Sequence, residues 1–180
     1  MYDECRHKLS LYAWKEINDV FNWLPAAAPI ERRIFCVHGG SSPELESLEN
    51  IAKVNRPLED LNHGLIVDMI WSDPEANQSG WMENERGISY TYGSECVNNF
   101  LHDNKLDLIV RSHQLVPMGY EFLFNKHLVT LFSVPNFHGH GNCGAILAVE
   151  RDLTCSFEII KPAHSQKMQF RDKARELMKP

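Results

Sequence analysis

Residues 34–43 of the chain read IFCVHGGSSP, from Ile34 to Pro43. Four apolar residues, mostly of types that favour strands, predict a buried strand from Ile34 to Val37. The two glycines and Pro43 that follow predict a tight turn, because glycine adopts backbone angles that other residues avoid. The side chain of His38 therefore stands at the end of a predicted buried strand, where a polar group is available for chemistry.

Composition limits the kinds of partner that the chain can have. It has 180 residues, of which 43% are hydrophobic and 23% charged, as in an ordinary single globular domain. A total of 18 Lys and Arg against 24 Asp and Glu gives a formal net charge of −6, which disfavours a nucleic-acid surface. No apolar run approaches the roughly 20 residues of a membrane span. We therefore expect neither nucleic acid nor a membrane as a partner.

The cysteines indicate a reducing compartment. They are odd in number and show no Cys-x-x-Cys spacing, at Cys5, Cys36, Cys96, Cys143 and Cys155. This pattern disfavours both a zinc clamp and a disulfide framework. Disulfides are rare in the cytosol and the nucleus, so we expect a cytoplasmic or nuclear location, or both.

Hydrophobic periodicity divides the chain into a helical first part and a strand-rich second part. The spacing predicts a loop at 72–87 and helices over 11–24, 47–54, 61–71 and 94–102. Strand-favouring runs occupy residues 106–110, 120–124, 128–133, 145–150 and 154–160. We predict one partial domain over residues 1–162 and a polar C-terminal tail, weakly helical at 166–178, over residues 163–180.

Three polar groups are candidates for chemistry. His113 follows directly after the strand that ends at Val110, so two neighbouring strand ends would bring it and His38 to one sheet edge. A single histidine is more often a satisfied core or loop residue than a metal ligand, and the spacing leaves both interpretations open. Arg86 lies in the acidic segment Glu83–Gly87, where it is either a solvated loop charge or a clamp for the oxygens of an anion.

Two further segments have adequate structural explanations. Asn136 and Phe137 follow Pro135 after a predicted strand, and a proline-nucleated turn with a packed aromatic ring accounts for them. Trp71 stands beside the predicted turn at Asp73 and is expected to anchor the core. The spacing of these residues alone leaves the function open.

Six blocks of sequence follow one another in a distinctive order. They are YDEC (Tyr2–Cys5), FCVHGG (Phe35–Gly40), WSDP (Trp71–Pro74), ENERG (Glu83–Gly87), RSHQ (Arg111–Gln114) and LVTLFSVPN (Leu128–Asn136). Together they resemble the carboxyl-terminal half of the PPP-type serine/threonine protein phosphatases, most closely protein phosphatase type 1. The resemblance covers about residues 2–162.

The resemblance implies a fold, a reaction and a set of site residues. It implies an α/β metallophosphatase-type β-sandwich flanked by helices, of which this chain forms about half. The family uses two divalent metal ions of the Mn, Fe or Zn type, bridged by an aspartate, to activate water for attack on phosphoserine or phosphothreonine. By this resemblance His38 and His113 bind one metal and Arg86 grips the phosphate. The residues that it places at the active-site rim are Asp73, Asn136 and Phe137, the last in place of a tyrosine.

Three motifs of the family's amino-terminal half do not occur in the 180 residues: Gly-Asp-x-His-Gly, Gly-Asp-x-Val-Asp-Arg-Gly and Gly-Asn-His-Glu. In the family these motifs carry the bridging aspartate, the ligands of the first metal and the general-acid histidine. Two imidazoles without a carboxylate form an incomplete site for Mn²⁺ or Fe²⁺. We therefore expect the chain to be a protein phosphatase by family, with phosphoproteins as substrates. Because the first-half motifs are absent from the 180 residues, we expect the chain to be inactive in this form.

A second set of residues matches the groove with which type 1 phosphatases bind Val-x-Phe-type peptides of regulatory subunits along a sheet edge. These residues are Ile34, Leu108, Phe122, Lys126, Val129, Leu153, Cys155 and Phe157. Ordinary core packing would look the same in sequence. The alternative to an enzyme is an inactive binding module that competes for regulatory subunits, and a truncated product without a stable fold is a third alternative.

Overall fold

The computed structural model describes residues 1–163. The chain divides into two compact units. Unit 1 contains residues 1–113 and 122–129, and unit 2 contains, among the described residues, 114–121 and 130–163. The tail predicted over residues 163–180, with its weak helix, lies outside the described residues from residue 164 on. The single domain over 1–162 stays a prediction.

Five α-helices are found among the described residues, all in unit 1. They are α1 (Tyr2–Lys8), α2 (Leu11–Phe21), α3 (Leu48–Lys53), α4 (Leu65–Trp71) and α5 (Ser94–Asn104). The side chain of Ser10 caps α2, since its Oγ accepts a hydrogen bond from the backbone N–H of Ala13 at 3.0 Å. Helix α1 was not predicted, because its seven residues are too few for a clear apolar period. The predicted helix over 61–71 begins only at Leu65, after Gly64 with a φ of 98°.

Ten strands among residues 1–163 form three sheets. They are β1 (Ala27–Ile30), β2 (Ile34–Val37), β3 (Asp73–Pro74), β4 (Trp81–Glu83), β5 (Tyr90–Tyr92), β6 (Leu108–Arg111), β7 (Tyr120–Leu123), β8 (Leu128–Leu131), β9 (Gly144–Val149) and β10 (Cys155–Ile160). The mixed α/β architecture confirms the predicted fold class. Strand β2 matches its predicted bounds residue for residue, whereas β1 escapes prediction because alanine and proline favour strands poorly.

The largest sheet positions the site. It has the strand order β1-β2-β6-β8-β7. Of the last two strands, residues 122–123 of β7 and 128–129 of β8 belong to unit 1. Strands β2 and β6 are parallel, with Ile34 opposite Leu108. Parallel neighbours end at the same edge of a sheet, and the backbone N–H of Ser112 donates to the carbonyl of His38 at 2.9 Å. The segments that carry His38 and His113 therefore leave the sheet side by side.

Residues 72–87 contain two strands rather than a continuous loop. Strands β3 and β4 flank β5 in a three-stranded sheet with the order β3-β5-β4. The ring of Trp81 packs against those of Tyr90 and Tyr92, with centroids 6.2 and 5.8 Å apart. The loop prediction was wrong because these strands are only two or three residues long and stand among Pro, Gly and Asn, which are typical of loops.

The core of unit 1 joins β2, β5, β6 and the start of β8 to helices α4 and α5. It is centred on Phe35, Met69, Tyr92, Val97, Ile109 and Leu128, each at most 1% exposed. Burial of one large apolar side chain contributes about 1.5–3 kcal/mol to stability. Asp68, a buried polar residue on α4, accepts hydrogen bonds from the hydroxyls of Ser42 at 2.6 Å and Ser89 at 2.8 Å. These bonds fasten two loops of unit 1 to the helix.

Unit 2 is built on the antiparallel hairpin of β9 and β10, in which Gly144 lies opposite Ile160. The segment after β8 joins it, because the backbone N–H of Ala145 donates to the carbonyl of Phe132 at 2.9 Å. The rings of Tyr120 and Phe157 stack with centroids 3.9 Å apart. Over residues 1–163, none of the helices has the length and apolar character that crossing a membrane requires.

Candidate functional site

Two imidazole rings meet where β2 and β6 end. Nε2 of His38 lies 3.1 Å from Nδ1 of His113, and the two rings meet edge to face with centroids 4.9 Å apart. The ring of Trp71 packs edge-on against His113 at 5.5 Å. Nε2 of His113 is buried and has no hydrogen-bond partner among the described residues. A buried polar atom without a partner is unfavourable by about 1–3 kcal/mol, so this nitrogen is the ring atom with capacity for a ligand.

The turns after the two strands hold these rings in place. His113 has a φ of 62°, in the left-handed region that residues other than glycine seldom adopt. The backbone N–H of Gly39 donates to the carbonyl of Met69 at 2.7 Å. A Cβ at Gly39 would lie 2.6 Å from the backbone carbonyl of Ile70. Only glycine therefore allows the turn after His38 to approach α4 this closely.

The carboxylate of Asp73 is the centre of a buried polar network in unit 1. Its Oδ1 accepts a hydrogen bond from Nη2 of Arg111 at 2.8 Å. Its Oδ2 accepts from Nε of Arg86 at 2.6 Å and from Nδ2 of Asn84 at 3.0 Å. Both carboxylate oxygens are thus engaged, and Arg86 is held through its Nε.

Arg111 is the largest of the fully buried side chains, at 1% exposure. Its Nε donates to the carbonyl of Gly39 at 2.5 Å, and its Nη2 donates to the carbonyl of Ser72 at 3.1 Å as well as to Asp73. Arg111 itself ends β6, two residues before His113. One guanidinium thus links the segment after β2, the segment before β3 and the end of β6.

Both imidazoles favour the neutral form. Burial, together with the positive charges of Arg86 and Arg111, lowers the pKa of His113 to about 4. Burial and the charge of Arg111 also lower the pKa of His38. At neutral pH the two rings can donate and accept hydrogen bonds without adding charge.

Two guanidinium groups share one carboxylate in the buried network. Burial alone would raise the pKa of Asp73, but hydrogen bonds from Arg86 and Asn84 and the charge of Arg111 hold it below its usual range. Asp73 is therefore ionised at neutral pH. The guanidinium of Arg86 favours an anion at its exposed end, because this side chain is 36% exposed.

Asn136 and Phe137 lie in unit 2, in a turn that the side chain of Asn142 organises. Oδ1 of Asn142 accepts from the backbone N–H of Phe137 at 2.9 Å, and its Nδ2 donates to the carbonyl of Val134 at 2.8 Å. Asn136 has a φ of 51°, and the ring of Phe137 packs edge-on against Phe132 at 5.3 Å. The position of Asn136 and Phe137 at an active-site rim stays a prediction.

The residues predicted to bind a Val-x-Phe peptide are divided between the units. In unit 1, Ile34 and Val129 are buried, whereas Phe122 and Lys126 are exposed. In unit 2, Cys155 is exposed. The docking role of these residues stays a prediction.

Sequence reasoning did not find two residues of the network, Arg111 and Asn84. Arg111 ends an apolar strand that reads LIVR, and an arginine at the end of a buried strand is a signal, because a buried charge needs partners. Asn84 stands in an acidic, polar segment where nothing distinguishes it from a loop residue. Asn84 contacts Asp73 from 11 positions away in the sequence and Arg111 from 38 positions away.

The family follows from a match over most of the chain. Residues 1–117 match the family model described as calcineurin-like phosphoesterase. The chain belongs to this family of metallophosphoesterases, and the matched residues include both imidazoles and the whole Asp73 network.

A solved structure gives a more particular likeness. It is a protein serine/threonine phosphatase from Saccharomyces cerevisiae, described as similar to human phosphatase PP5. The two structures agree with a TM-score of 0.79 at 28% sequence identity, over 92% of this chain and 56% of the yeast chain. This chain thus spans a little over half the length of that phosphatase, which is consistent with a partial fold.

Members of this family generally depend on two metal ions, and the described residues do not complete such a centre. No group of three or more His, Cys, Asp or Glu side chains in residues 1–163 is placed to hold a metal ion. His38 and His113 offer part of one ligand set, with the unpaired Nε2 of His113 as its most available atom. Asp73 has both oxygens bonded to other groups, and the two guanidinium charges oppose a cation. A dinuclear metal centre therefore does not fit these residues alone, which can bind and orient an anion.

Proposed function

We propose that the site of unit 1 binds the phosphate group of a phosphorylated protein, as one part of a serine/threonine protein phosphatase. The observation that supports this most directly is the sharing of one carboxylate, Asp73, by Arg86 and Arg111. Arg86 shares this carboxylate and keeps part of its guanidinium in reach of solvent, where its charge can attract an anion. Phosphate oxygens match the geometry of a guanidinium fork.

Arg86 and the imidazoles have different roles in this proposal. Nε of Arg86 is occupied by Asp73, which leaves the two Nη groups of the side chain to donate to phosphate oxygens. The unpaired Nε2 of His113 offers one further hydrogen bond, on a ring close enough to Arg86 for that charge to lower its pKa. Because both imidazoles favour the neutral form, they orient the phosphate without neutralising it.

The substrate class rests on the likeness to a protein serine/threonine phosphatase. That likeness supports phosphoserine or phosphothreonine in a protein as the group that is bound. The first-half motifs are absent from the 180 residues, so we propose that this chain belongs to the carboxyl-terminal half of such an enzyme. Without a bridging carboxylate or a general acid, it binds the phosphate group and does not hydrolyse it.

Turnover of a simple phosphate ester tests the inactivity. A general acid or base contributes about 10²- to 10⁴-fold to a rate, and this chain lacks the family's general acid as well as its bridging aspartate. With millimolar Mn²⁺, the purified 180-residue chain should hydrolyse p-nitrophenyl phosphate no faster than the His113→Ala variant does. A wild-type rate clearly above that of the variant would contradict the proposal.

A second proposal is that the chain captures Val-x-Phe-type segments of regulatory subunits and so acts as a binding module. Phe122 is 37% exposed, so part of its ring is accessible to an aromatic or apolar anchor of a peptide bound along a sheet edge. This binding would need no metal and no hydrolysis.

A further inference from the structure

Arg111 holds together the three segments that carry the site of unit 1. It donates to the carbonyl of Gly39, which follows His38, and to the carbonyl of Ser72, which precedes Asp73. Its own backbone stands two residues before His113. Three stretches that are far apart in sequence are therefore fastened to one rigid, planar group.

The burial of Arg111 separates its role from that of Arg86. The side chain of Arg111 has no exposed surface, whereas that of Arg86 is 36% exposed. A ligand arriving from solvent reaches Arg86 and cannot reach Arg111. A buried ion pair seldom adds stability over an apolar replacement, so its use here requires another explanation.

That explanation lies in the orientation of the Asp73 carboxylate. Arg111 holds Oδ1 at 2.8 Å, and this fixes the direction of Oδ2, on which Nε of Arg86 rests at 2.6 Å. If Oδ1 lost its partner, only the bonds to Oδ2 from Asn84 and from Arg86 itself would hold the carboxylate, and the direction of Oδ2 would be less firmly fixed. We propose that Arg111 is a positioning residue that orients the phosphate-binding fork of Arg86 through Asp73. The inference rests on the proposed function, since it assigns the cause of the geometry with which phosphate is bound.

The substitution Arg111→Lys tests this inference while conserving the charge. A lysine ammonium is a point charge on a shorter stem and cannot donate to Gly39, Ser72 and Asp73 in one plane. Titration of the 180-residue chain with inorganic phosphate should show affinity about tenfold weaker than for the wild type. The matched control is Arg33→Lys, because Arg33 also pairs with a carboxylate, Asp107, at 2.6 Å but in an exposed position. The control should bind phosphate as the wild type does.

A double-mutant cycle separates positioning from a general effect on the site. If Arg111 acts through Arg86, then Arg111→Lys should have little further effect once Arg86→Lys has removed the fork. Losses that simply add in the double variant would overturn the inference, as would wild-type affinity in Arg111→Lys.

The hydrogen exchange of the Arg86 Nε–H group, followed by NMR, provides a readout that does not depend on phosphate. Bonded to a fixed carboxylate, this proton should exchange slowly in the wild type and at least tenfold faster in Arg111→Lys. Unchanged exchange would overturn the inference. If the wild type fails to bind phosphate, the proposed function fails, and the exchange rate still decides whether Arg111 positions Arg86.

If Arg111→Lys does not fold, NMR of the wild type during a phosphate titration shows whether Arg111 contacts the phosphate directly. Phosphate should then shift the guanidinium signals of Arg86 and leave those of Arg111 nearly unchanged. Equal shifts at both residues would make Arg111 a direct ligand contact and overturn its role as a positioning residue.

Discussion

His113 is constrained by its backbone, by a neighbouring ring and by a second imidazole. Its φ of 62° places it in the left-handed region, Trp71 packs against its edge, and Nδ1 lies 3.1 Å from His38. Burial and two nearby guanidinium groups then lower its pKa to about 4. The ring is therefore neutral at neutral pH, and its Nε2 has no partner among the described residues. A neutral imidazole with an unpaired nitrogen can bind a ligand.

The low pKa of His113 predicts that acid destabilises the chain. The folded pKa of about 4 lies below the ordinary value of 6.5, so the unfolded chain binds the proton first as the pH falls. The stabilisation is therefore complete above pH 6.5 and is lost between pH 6.5 and 4. Urea titrations at pH 7.5 and 5.0 should differ by about 1–2 kcal/mol, a figure reduced for the partial solvent contact of the ring.

The matched variants are His113→Gln and His63→Gln. The first should flatten this part of the pH dependence, and the second, at an exposed histidine, should leave it as in the wild type. The same slope in His113→Gln as in the wild type would show that His113 is not its source.

At the residue scale, the sequence identified the groups that follow a recognisable pattern. His38 and His113 follow predicted strands, and Arg86 stands in a block that resembles a known family. Arg111 was missed because its role depends on a contact with Gly39, 72 positions earlier in the chain, and neither periodicity nor local spacing reports such a contact. The place of Asp73 at an active-site rim stays a prediction, and the structure adds that its side chain is the centre of the network.

At the scale of elements, prediction succeeded where one signal was strong. The run from Ile34 to Val37 is apolar, favours strands and ends at glycines, so both of its bounds were correct. Strands β3, β4 and β5 were missed because each has only two or three residues, and the packing of Trp81 on β4 against Tyr90 and Tyr92 on β5 leaves no local pattern in the sequence. The parallel pairing of β2 with β6 brings the two imidazoles together.

Strand β7 carries the prediction on peptide binding. A Val-x-Phe peptide should bind the chain, and Phe122→Ala should weaken that binding by about 1–3 kcal/mol, as expected for an anchor contact. Phe137→Ala is the matched control, because Phe137 is 39% exposed against 37% for Phe122 and stands outside the predicted groove. Calorimetry with and without EDTA should give the same affinity.

The docking proposal has two clear negative outcomes. If no peptide binding is detected, the docking proposal is wrong. If Phe122→Ala and Phe137→Ala change the peptide affinity equally, the peptide has no preference for the predicted residues.

At the scale of the whole chain, family and fold are clearer than activity. Residues 1–117 belong to the calcineurin-like phosphoesterases, and the chain spans 56% of a yeast phosphatase with the same fold. The net charge of −6 gives no hint of the anion site that we propose, because Arg86 and Arg111 come together at Asp73 only in the folded chain. A site of this kind is created by folding and is not visible in composition.

Large apolar side chains also lie on the surface of unit 1, among them Tyr12 at 72% and Trp23 at 65% exposure. Clusters of such groups favour association at high protein concentration. Binding measurements therefore belong at low concentration, with the molecular mass followed in parallel by size-exclusion chromatography.

The most direct test of the account is calorimetric titration of the 180-residue chain with inorganic phosphate in EDTA. The wild type should show saturable binding, and Arg86→Lys should weaken it about tenfold, or about 1.4 kcal/mol, through loss of the bidentate fork at unchanged charge. Arg33→Lys, which changes a carboxylate-paired arginine outside the Asp73 network, should bind as the wild type does. No saturable binding by the wild type, or equal affinities for the wild type and Arg86→Lys, would contradict the claim that this network is a phosphate site.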